Sequence, residues 1–363
     1  MRARNQWFDV LRGVAILLVL GRHYDYRYIR IWHSIGWAGV DLFFVLSGFL
    51  ISGLLFSEYK NTGHISIKRF WTRRAFKIYP PFYTLIFLTI VYCLFAYRSI
   101  PHEVLGDIFF LQNYAPRLWG HGWSLAIEEH FYVVLPLLLA AMIGISKNKE
   151  NPFRAIPIIS VGLTVLCLFL RISASHRTVH WEELTFPTHL RVDALFAGVT
   201  LGYYDHFDSA ALKLGRRLPI LLAGVLLTLP AFLFEGTTFT TTIGLTFTFI
   251  GFSCILIFAL NHELPQNPAL KFVAWIGRYS YSIYLWHALP ALYVFEKLPQ
   301  SPLMCVAYFS VCVGFGVVMA KLIEVSALRL RDRYFPSRRN EAKREQIVGG
   351  PDSELRLAPC AGF

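Results

Sequence analysis

The chain contains ten apolar stretches separated by short polar segments, and several are long enough to cross a lipid bilayer. A transmembrane α-helix needs about 20 apolar residues, because the hydrocarbon core is about 30 Å thick. With 55% hydrophobic and 16% charged residues, and a mean hydropathy of +0.47, the chain is too apolar for an ordinary soluble domain. The sequence predicts an all-α, polytopic transmembrane bundle of about ten spans, over residues 8–22, 36–56, 80–97, 125–145, 155–171, 190–204, 218–234, 240–260, 279–295 and 303–323.

The distribution of Lys and Arg among the loops predicts the orientation of this bundle. Short cytoplasmic loops carry an excess of positive residues, and alternate loops of this chain do so, which places both termini in the cytoplasm. The same bias explains the net charge of +12 without nucleic acid, for which no binding motif is present. We predict a membrane-embedded domain over residues 1–325 and a basic, flexible cytoplasmic tail over residues 326–363. The first arginines of that tail fit contact with membrane lipid, and a simple stop-transfer role fits them at least as well.

The first span carries ionised residues where apolar ones are expected. Asp9 and Arg12 lie within it, and His23 follows at its end. Eleven residues make about three helical turns, so Arg12 and His23 share one face and lie about 16 Å apart along the axis. Charged groups within a membrane are costly and usually face a polar interior. The spacing predicts a line of polar chemistry through the bundle, with Arg12 toward the inner side and His23 at the outer side.

Further polar motifs lie near the ends of later spans, and together they identify a family. In chain order they are Asn5-x-x-Phe8-Asp9-x-x-Arg12-Gly13 followed by His23, Gly39-Val40-Asp41 leading to Ser47-Gly48, Arg73-Arg74-x-x-Lys77-Ile78-Tyr79-Pro80, Trp123-Ser124-Leu125-x-x-Glu128-Glu129, Leu190-Arg191-x-Asp193, and Ser280-Tyr281-Ser282-Ile283-Tyr284-Leu285-Trp286-His287. From Asn5 to Glu324 the series resembles the acyltransferase 3 family, the integral membrane O-acyltransferases of bacterial surface polysaccharides and related acceptors.

The resemblance implies a multi-pass enzyme of the bacterial plasma membrane. Such an enzyme moves an acyl group, often acetyl, from cytoplasmic acyl-CoA to a hydroxyl that is commonly presented across the membrane. Acyl-CoA is then a co-substrate, and no cofactor is bound permanently. A carbohydrate or related molecule is the expected acceptor, with polysaccharide-assembly proteins as expected partners.

His23, Arg12 and Glu128 are the catalytic candidates. A neutral imidazole can take the proton of an attacking hydroxyl near neutral pH, and the alignment with Arg12 outweighs the interpretation of His23 as a solvated interfacial residue. Asp25 is a candidate to orient it. Arg12 is expected to hold the acyl donor, the alternative being a structural pair with Asp9 at i,i+3. The family pattern selects Glu128 over Glu129, and we expect Glu128 on the same side as His23. There Glu128 would raise the basicity of His23 or hold the acceptor. The alternative is a structural role, as a favourable charge near a helix N-terminus.

Other polar residues are candidates for donor binding or for support of the cavity. Arg and Lys bind phosphates readily, so the cations before the third span fit acyl-CoA, although membrane orientation explains the same charges. These donor-binding candidates are Arg69, Arg73, Arg74 and Lys77. The supporting candidates fit either the cavity or helix packing, and they are Asp9, Asp41, Trp123, Ser124, Arg191, Asp193 and His287. Among them, Asp41 would pair with a cation of the first span or line the cavity, and Arg191 would pair with Asp193. No zinc-ligand spacing is present, so no metal is predicted.

A transporter or flippase of a lipid-linked sugar is the competing interpretation. Intramembrane Asp, Arg and His also mark transport pathways, but paired halves with broken helices are not evident in the sequence. Acceptor choice is expected to depend on outer segments, chiefly residues 24–36, 98–122 and 172–189, or on a partner protein. The identity of the acceptor and the length of the acyl chain stay open.

Overall fold

The regular structure of the chain is entirely helical in the computed structural model, which describes residues 5–24, 29–234, 236–299 and 301–336. The all-α prediction is therefore confirmed. In these ranges the α-helices are α1 (Trp7–Arg22), α2 (Arg30–Ile35), α3 (Ala38–Thr62), α4 (Ile67–Tyr97), α5 (Val104–Ile108), α6 (Trp123–Ile145), α7 (Ile156–Ser175), α8 (Trp181–Thr185), α9 (Val192–Phe207), α10 (Leu218–Leu233), α11 (Leu245–Asn261), α12 (Pro268–Arg278), α13 (Ser280–Trp286), α14 (Ala288–Tyr293), α15 (Pro302–Met319) and α16 (Val325–Tyr334).

Among the described residues, 6 helical segments are long and apolar enough to cross a membrane, so the chain is an integral membrane protein. They comprise α3, α4, α6 with the turn before it, α7, α11 with a π-helical turn before it, and α15 continued into α16. The other predicted spans are shorter or broken. α1, α9 and α10 have 16 residues each, about 24 Å of helix. The predicted span over residues 279–295 is divided into α13 and α14 at His287. The count of ten and the orientation of the termini stay predictions.

Glycines allow α1 and α3 to pack closely against neighbouring helices. A Cβ at Gly277 of α12 would lie 1.8 Å from the carbonyl oxygen of Asp9 in α1. A Cβ at Gly48 of α3 would lie 1.9 Å from the carbonyl oxygen of Leu195 in α9. Small residues permit such close backbone contact between helices in membranes. As α1 also packs against α3, its position is fixed from two sides.

The beginning of the predicted tail belongs to the bundle. Residues 326–334 form most of α16, which packs against α4, and the rings of Phe76 and Phe335 lie 5.8 Å apart. The bundle therefore extends past the predicted boundary at residue 325. Residues 337–363 of the tail, and the proposed orienting residue Asp25, lie outside the described residues.

Candidate active site

Three neighbouring cavities lie between the region of Arg12 and that of His23. We call them the Arg12 cavity, the Trp181 cavity and the Phe295 cavity, each after one lining residue; with their open mouths they enclose about 840, 630 and 1130 Å³. The first two share the lining residues Val40 and Tyr284. The second and third share His23, Gly120 and His121. The polar line predicted from sequence thus corresponds to a row of cavities, with His23 where the second meets the third.

His23 follows α1 and is held at one ring nitrogen. Its Nδ1 lies 2.9 Å from the carbonyl oxygen of Val19 and 3.3 Å from Nε2 of His287. A carbonyl oxygen can only accept, so Nδ1 carries the proton and Nε2 of the neutral ring is unprotonated. The side chain is exposed and lines two cavities, which leaves Nε2 accessible as a base.

Two more histidines surround His23. His287 is fully buried at the break between α13 and α14, and its Nδ1 lies 2.6 Å from the carbonyl oxygen of Tyr284. That bond places the proton on Nδ1 and leaves Nε2 as the acceptor that faces His23. His121 lies in the turn before α6, with Nε2 3.2 Å from the carbonyl oxygen of Leu285.

The rings of the three histidines lie close together. The centroid distances are 4.8 Å between His23 and His287, 5.0 Å between His121 and His287, and 6.5 Å between His23 and His121. No group of three or more His, Cys, Asp or Glu within the described ranges has an arrangement suited to a metal ion. Each ring instead donates to a backbone carbonyl, an arrangement that can hold and move protons.

The Arg12 cavity is lined by four cations and two carboxylates: Arg12, Arg74, Lys77, Arg278, Glu128 and Glu129. The guanidinium carbon of Arg74 lies 4.7 Å from the ring centroid of Tyr132. Lys77 Nζ lies 3.8 Å from Glu324 Oε1, and Ser282 donates to the other oxygen of Glu324 at 2.6 Å. An excess of positive charge in a cleft favours a polyanionic ligand.

Glu128 lines the Arg12 cavity and neither of the two cavities that His23 lines, and its role toward His23 stays a prediction. Its carboxylate accepts hydrogen bonds from Ser47 Oγ at 2.8 Å and from Tyr132 OH at 2.6 Å. Glu128 is five residues beyond the start of α6, about 7.5 Å further along the helix, and at this depth it lines the same cavity as the four cations. Glu129 lines the same cavity. The sequence suggested that only one of these two adjacent carboxylates faces the cavity, whereas both do.

Arg69 and Arg73 line none of the three cavities, which separates them from Arg74 and Lys77. Arg69 Nη2 donates to the carbonyl oxygen of Pro336 at 2.6 Å, and Arg73 Nη2 lies 3.3 Å from Asp332 Oδ1. Positions 69 and 73 share one face of α4, and that face packs against the end of α16. The adjoining face carries Arg74 and Lys77 into the Arg12 cavity.

The predicted ion pair between Arg191 and Asp193 is wrong, because each residue has a different partner. Arg191 Nη2 lies 2.8 Å from Asp41 Oδ1, and Arg171 Nη2 lies 2.8 Å from Asp193 Oδ2. Residues two apart do not face each other on a helix, so partners come from neighbouring elements. Asp41 therefore pairs with a cation from α9's N-terminus rather than from the first span, and only Arg191 of these four residues lines a cavity.

The remaining predicted residues are divided between packing and the cavities. Asp9 is buried 4.0 Å from Arg278 Nε and lines none of the three cavities. Trp123 lines the Trp181 cavity and stacks on Phe186 with centroids 4.5 Å apart. Ser124 lines the Arg12 cavity and hydrogen-bonds to Tyr284 OH at 2.5 Å, which itself donates to a carbonyl.

Sequence reasoning missed His121, Arg278, Glu324 and Arg171. His121 immediately precedes the motif that begins at Trp123, and Arg278 precedes the motif that begins at Ser280. Arg171 is a charged residue at the end of a predicted span, and it is fully buried. A polar residue next to a recognised motif, or a charge in an apolar run, was the available signal in each of these three cases.

Comparison with known proteins agrees with the earlier resemblance. The model of the family described as "Acyltransferase domain" matches residues 5–321. The chain is 30% identical over 313 residues to "Peptidoglycan O-acetyltransferase OatA" of Listeria monocytogenes, covering 77% of this chain and 48% of the relative. It is 30% identical over 319 residues to "Putative peptidoglycan O-acetyltransferase YrhL" of Bacillus subtilis, covering 77% of this chain and 47% of the relative. It is 27% identical over 372 residues to a putative O-acetyltransferase of Staphylococcus aureus (strain MRSA252), covering 90% of this chain and 59% of the relative.

The chain thus spans about half the length of the curated relatives that it matches. No solved structure matches it. The family model, by contrast, covers nearly all of the chain and includes the residues that line the row of cavities from Arg12 to His23. The chain belongs to the acyltransferase 3 family.

Proposed function

We propose that the protein is an O-acyltransferase of the bacterial plasma membrane that moves an acetyl group from cytoplasmic acetyl-CoA to a hydroxyl of a carbohydrate at the outer face. One observation carries this proposal: a cavity lined by four cations adjoins a second cavity that is lined by His23, a histidine whose Nε2 is unprotonated. The names of the relatives make a peptidoglycan sugar the first acceptor to test.

The Arg12 cavity is the proposed donor site. Coenzyme A carries a diphosphate and a 3′-phosphate, and guanidinium and ammonium groups bind phosphate oxygens through charge-assisted hydrogen bonds. Arg278 is exposed, which fits a first contact at the mouth, whereas Arg12 is partly buried. The pantetheine arm would then extend past Tyr284 toward the Trp181 cavity.

His23 is the proposed general base. The acceptor oxygen attacks the carbonyl carbon of the thioester, so that a C–O bond forms and the C–S bond breaks. Nε2 of His23 takes the hydroxyl proton and returns it to the sulfur of the departing CoA, and so ends unchanged. Nε2 of His287 accepts from Nδ1–H of His23 and stabilises the imidazolium that forms between the two proton transfers.

The test is acetyl transfer by the purified chain in lipid nanodiscs, with radiolabelled acetyl-CoA and chitotriose as probes. Since a general base contributes about 10²–10⁴-fold to rate, His23→Ala should lose at least about 100-fold in ester formation. His102→Ala, whose side chain is 83% exposed, is the matched control and should retain full activity. Near-normal activity of His23→Ala would contradict the mechanism.

The transporter interpretation receives no support from the relatives, whose names all describe O-acetyltransferases. Vesicles with enclosed chitotriose separate the two functions. Acetyl ester on the sugar supports the enzyme, whereas movement of unmodified sugar across the bilayer without ester formation supports transport. A further experiment distinguishes direct transfer from an acyl-enzyme intermediate. Protein incubated with radiolabelled acetyl-CoA is quenched in acid before acceptor is added, and the protein retains the labelled acetyl group only if an acyl-enzyme intermediate forms.

A further inference from the structure

The Phe295 cavity lies on the far side of His23 from the proposed donor site. It shares no lining residue with the Arg12 cavity, and it meets the Trp181 cavity only at His23, Gly120 and His121. An acyl group that arrives from the Arg12 cavity through the Trp181 cavity therefore leaves the Phe295 cavity free for the second substrate. This cavity is also accessible, because Leu292 and Leu298 on its lining are 48% and 41% exposed.

The lining of this cavity combines aromatic rings with hydrogen-bond acceptors. Tyr24, Trp119 and Phe295 supply the rings, and Glu296 and His121 supply acceptors. Pockets for small molecules enclose about 300–1,000 Å³ and combine apolar walls with a few placed polar groups. The part of the Phe295 cavity that a water-sized sphere can occupy is about 490 Å³, which is room for a sugar ring. Ring faces contact the apolar face of a sugar, and acceptors bind its hydroxyls.

His121 is held so that one ring nitrogen is unprotonated. Its Nε2 donates to the carbonyl oxygen of Leu285, so the neutral ring carries no proton on Nδ1. Tyr284 OH donates to the backbone oxygen of His121 at 2.6 Å and fixes the main chain. The side chain is only 6% exposed, and among the described residues its one side-chain hydrogen bond is made by Nε2, so that none is made by Nδ1. The ring borders the same two cavities as His23.

We infer that the Phe295 cavity is the acceptor site for a sugar with free hydroxyls, and that Nδ1 of His121 accepts a hydrogen bond from one of these hydroxyls and so places the sugar beside His23. This inference rests on the proposed function. His121 takes no proton in the reaction; the proton of the attacking hydroxyl goes to His23. His121 is thus a residue that binds and orients the acceptor, and the chemical step is the one described above.

Two substitutions of His121 separate this role from a structural one. The side-chain oxygen of His121→Asn takes the place of Nδ1 and keeps the acceptor, but loses the donor to Leu285. The amide nitrogen of His121→Gln takes the place of Nε2 and keeps that donor, but loses the acceptor. Because one hydrogen bond is worth about tenfold in binding, we expect the KM for chitotriose to rise about 10-fold in His121→Gln and to change less than about 3-fold in His121→Asn. The reverse order would overturn the inference.

A second pair of variants tests the cavity itself. Leu292→Trp adds bulk at the lining, and Val294→Trp adds it two residues away at an exposed position that does not line the cavity. The protein in nanodiscs is assayed for CoA release from acetyl-CoA with methanol as a small acceptor, and for ester formation on chitotriose. We expect Leu292→Trp to raise the KM for chitotriose at least about 10-fold while the methanol reaction stays within about 2-fold, and Val294→Trp to change neither.

The outcomes distinguish the inference from the proposed function. If the unmodified protein releases no CoA with either acceptor, the proposed function itself fails. If it releases CoA with methanol but never acetylates chitotriose, the assignment of a sugar to the Phe295 cavity is wrong. If it acetylates chitotriose and Leu292→Trp leaves that KM unchanged, the acceptor enters elsewhere and the inference is overturned.

Discussion

Nε2 of His287 lies 3.3 Å from Nδ1 of His23, and each of the two rings is oriented by a backbone carbonyl of its own segment, bound at Nδ1. His287 can only accept at this contact, because its Nδ1 proton is donated to Tyr284. The contact therefore favours the tautomer of His23 that leaves Nε2 free, and in the proposed mechanism it would stabilise positive charge on the ring.

Removing this acceptor should lower turnover without weakening donor binding. We expect His287→Leu to reduce kcat about 10–100-fold and to leave the KM for acetyl-CoA within about 2-fold, because one charge-assisted hydrogen bond is worth about 1.5–3 kcal/mol. His287→Gln places an amide oxygen near the position of Nε2 and should recover most of the activity. Steady-state kinetics in nanodiscs measure both constants, and an equal loss in the two variants would assign His287 to packing alone.

The cations of α4 should differ in their effect on donor affinity. Arg74→Ala and Lys77→Ala each remove a cation that lines the Arg12 cavity, so we expect the KM for acetyl-CoA to rise at least about 10-fold. Arg69→Ala and Arg73→Ala remove cations that contact the end of α16 and should stay within about 3-fold. The four variants form an internally matched set in one assay. Equal defects in Arg73→Ala and Arg74→Ala would show that the α16 contact opens for the donor.

The buried ion pair between Arg171 and Asp193 should be far more important for stability than an exposed pair. Asp193→Leu leaves a fully buried guanidinium without its carboxylate, which typically costs about 3–5 kcal/mol. Asp332→Leu removes the partner of Arg73 at a site where the carboxylate is 43% exposed, and should cost about 0–1 kcal/mol. Thermal unfolding in detergent compares them. Similar losses would mean that Arg171 is rehydrated when its partner is removed.

Asp107 should make stability depend on pH. It lies in α5, outside the candidate spans, and burial raises its pKa to about 6, while the N–H of Leu118 donates to its Oδ2 at 2.9 Å and partly offsets that rise. The folded state therefore prefers the protonated form. The stabilisation is complete below the ordinary pKa near 4 and is lost as pH rises through about 6.

Asp107→Asn cannot ionise, so we expect it to match the unmodified protein near pH 4 and to exceed its stability at pH 7 by on the order of 2 kcal/mol. The amide oxygen keeps an acceptor for Leu118. Glu103→Gln, one turn earlier, controls for the loss of a nearby carboxylate and should leave the pH dependence intact. Unfolding temperatures at pH 4.5, 5.5 and 7 measure the slope, and an unchanged slope in Asp107→Asn would contradict this assignment.

The sequence predicted the helical class, because the helical repeat of apolar residues is local. It could not predict which charged residues pair. The partners Asp41 and Arg191 are 150 residues apart, and their contact depends on how α3 packs against α9. The cavity that Glu128 lines could not be predicted for a similar reason. Hydropathy shows that α6 spans the membrane, but not how deep Glu128 lies relative to the side chains of the neighbouring helices.

The four cations of α4 show the same limit. Arg69, Arg73, Arg74 and Lys77 are equally basic in the sequence, and only the packing of α16 on one face of α4 separates them. His121 lies in a short turn that has no helical periodicity of its own. Its place beside His23 depends on Leu285, more than a hundred residues later in the chain.

Each of the three imidazoles is anchored by a backbone oxygen, that of Val19, Tyr284 or Leu285. Every amino acid supplies such an oxygen, so the side chains at these anchoring positions can change in evolution without loss of the anchors. The orientation of His23 and its two neighbouring histidines thus depends on the path of the main chain.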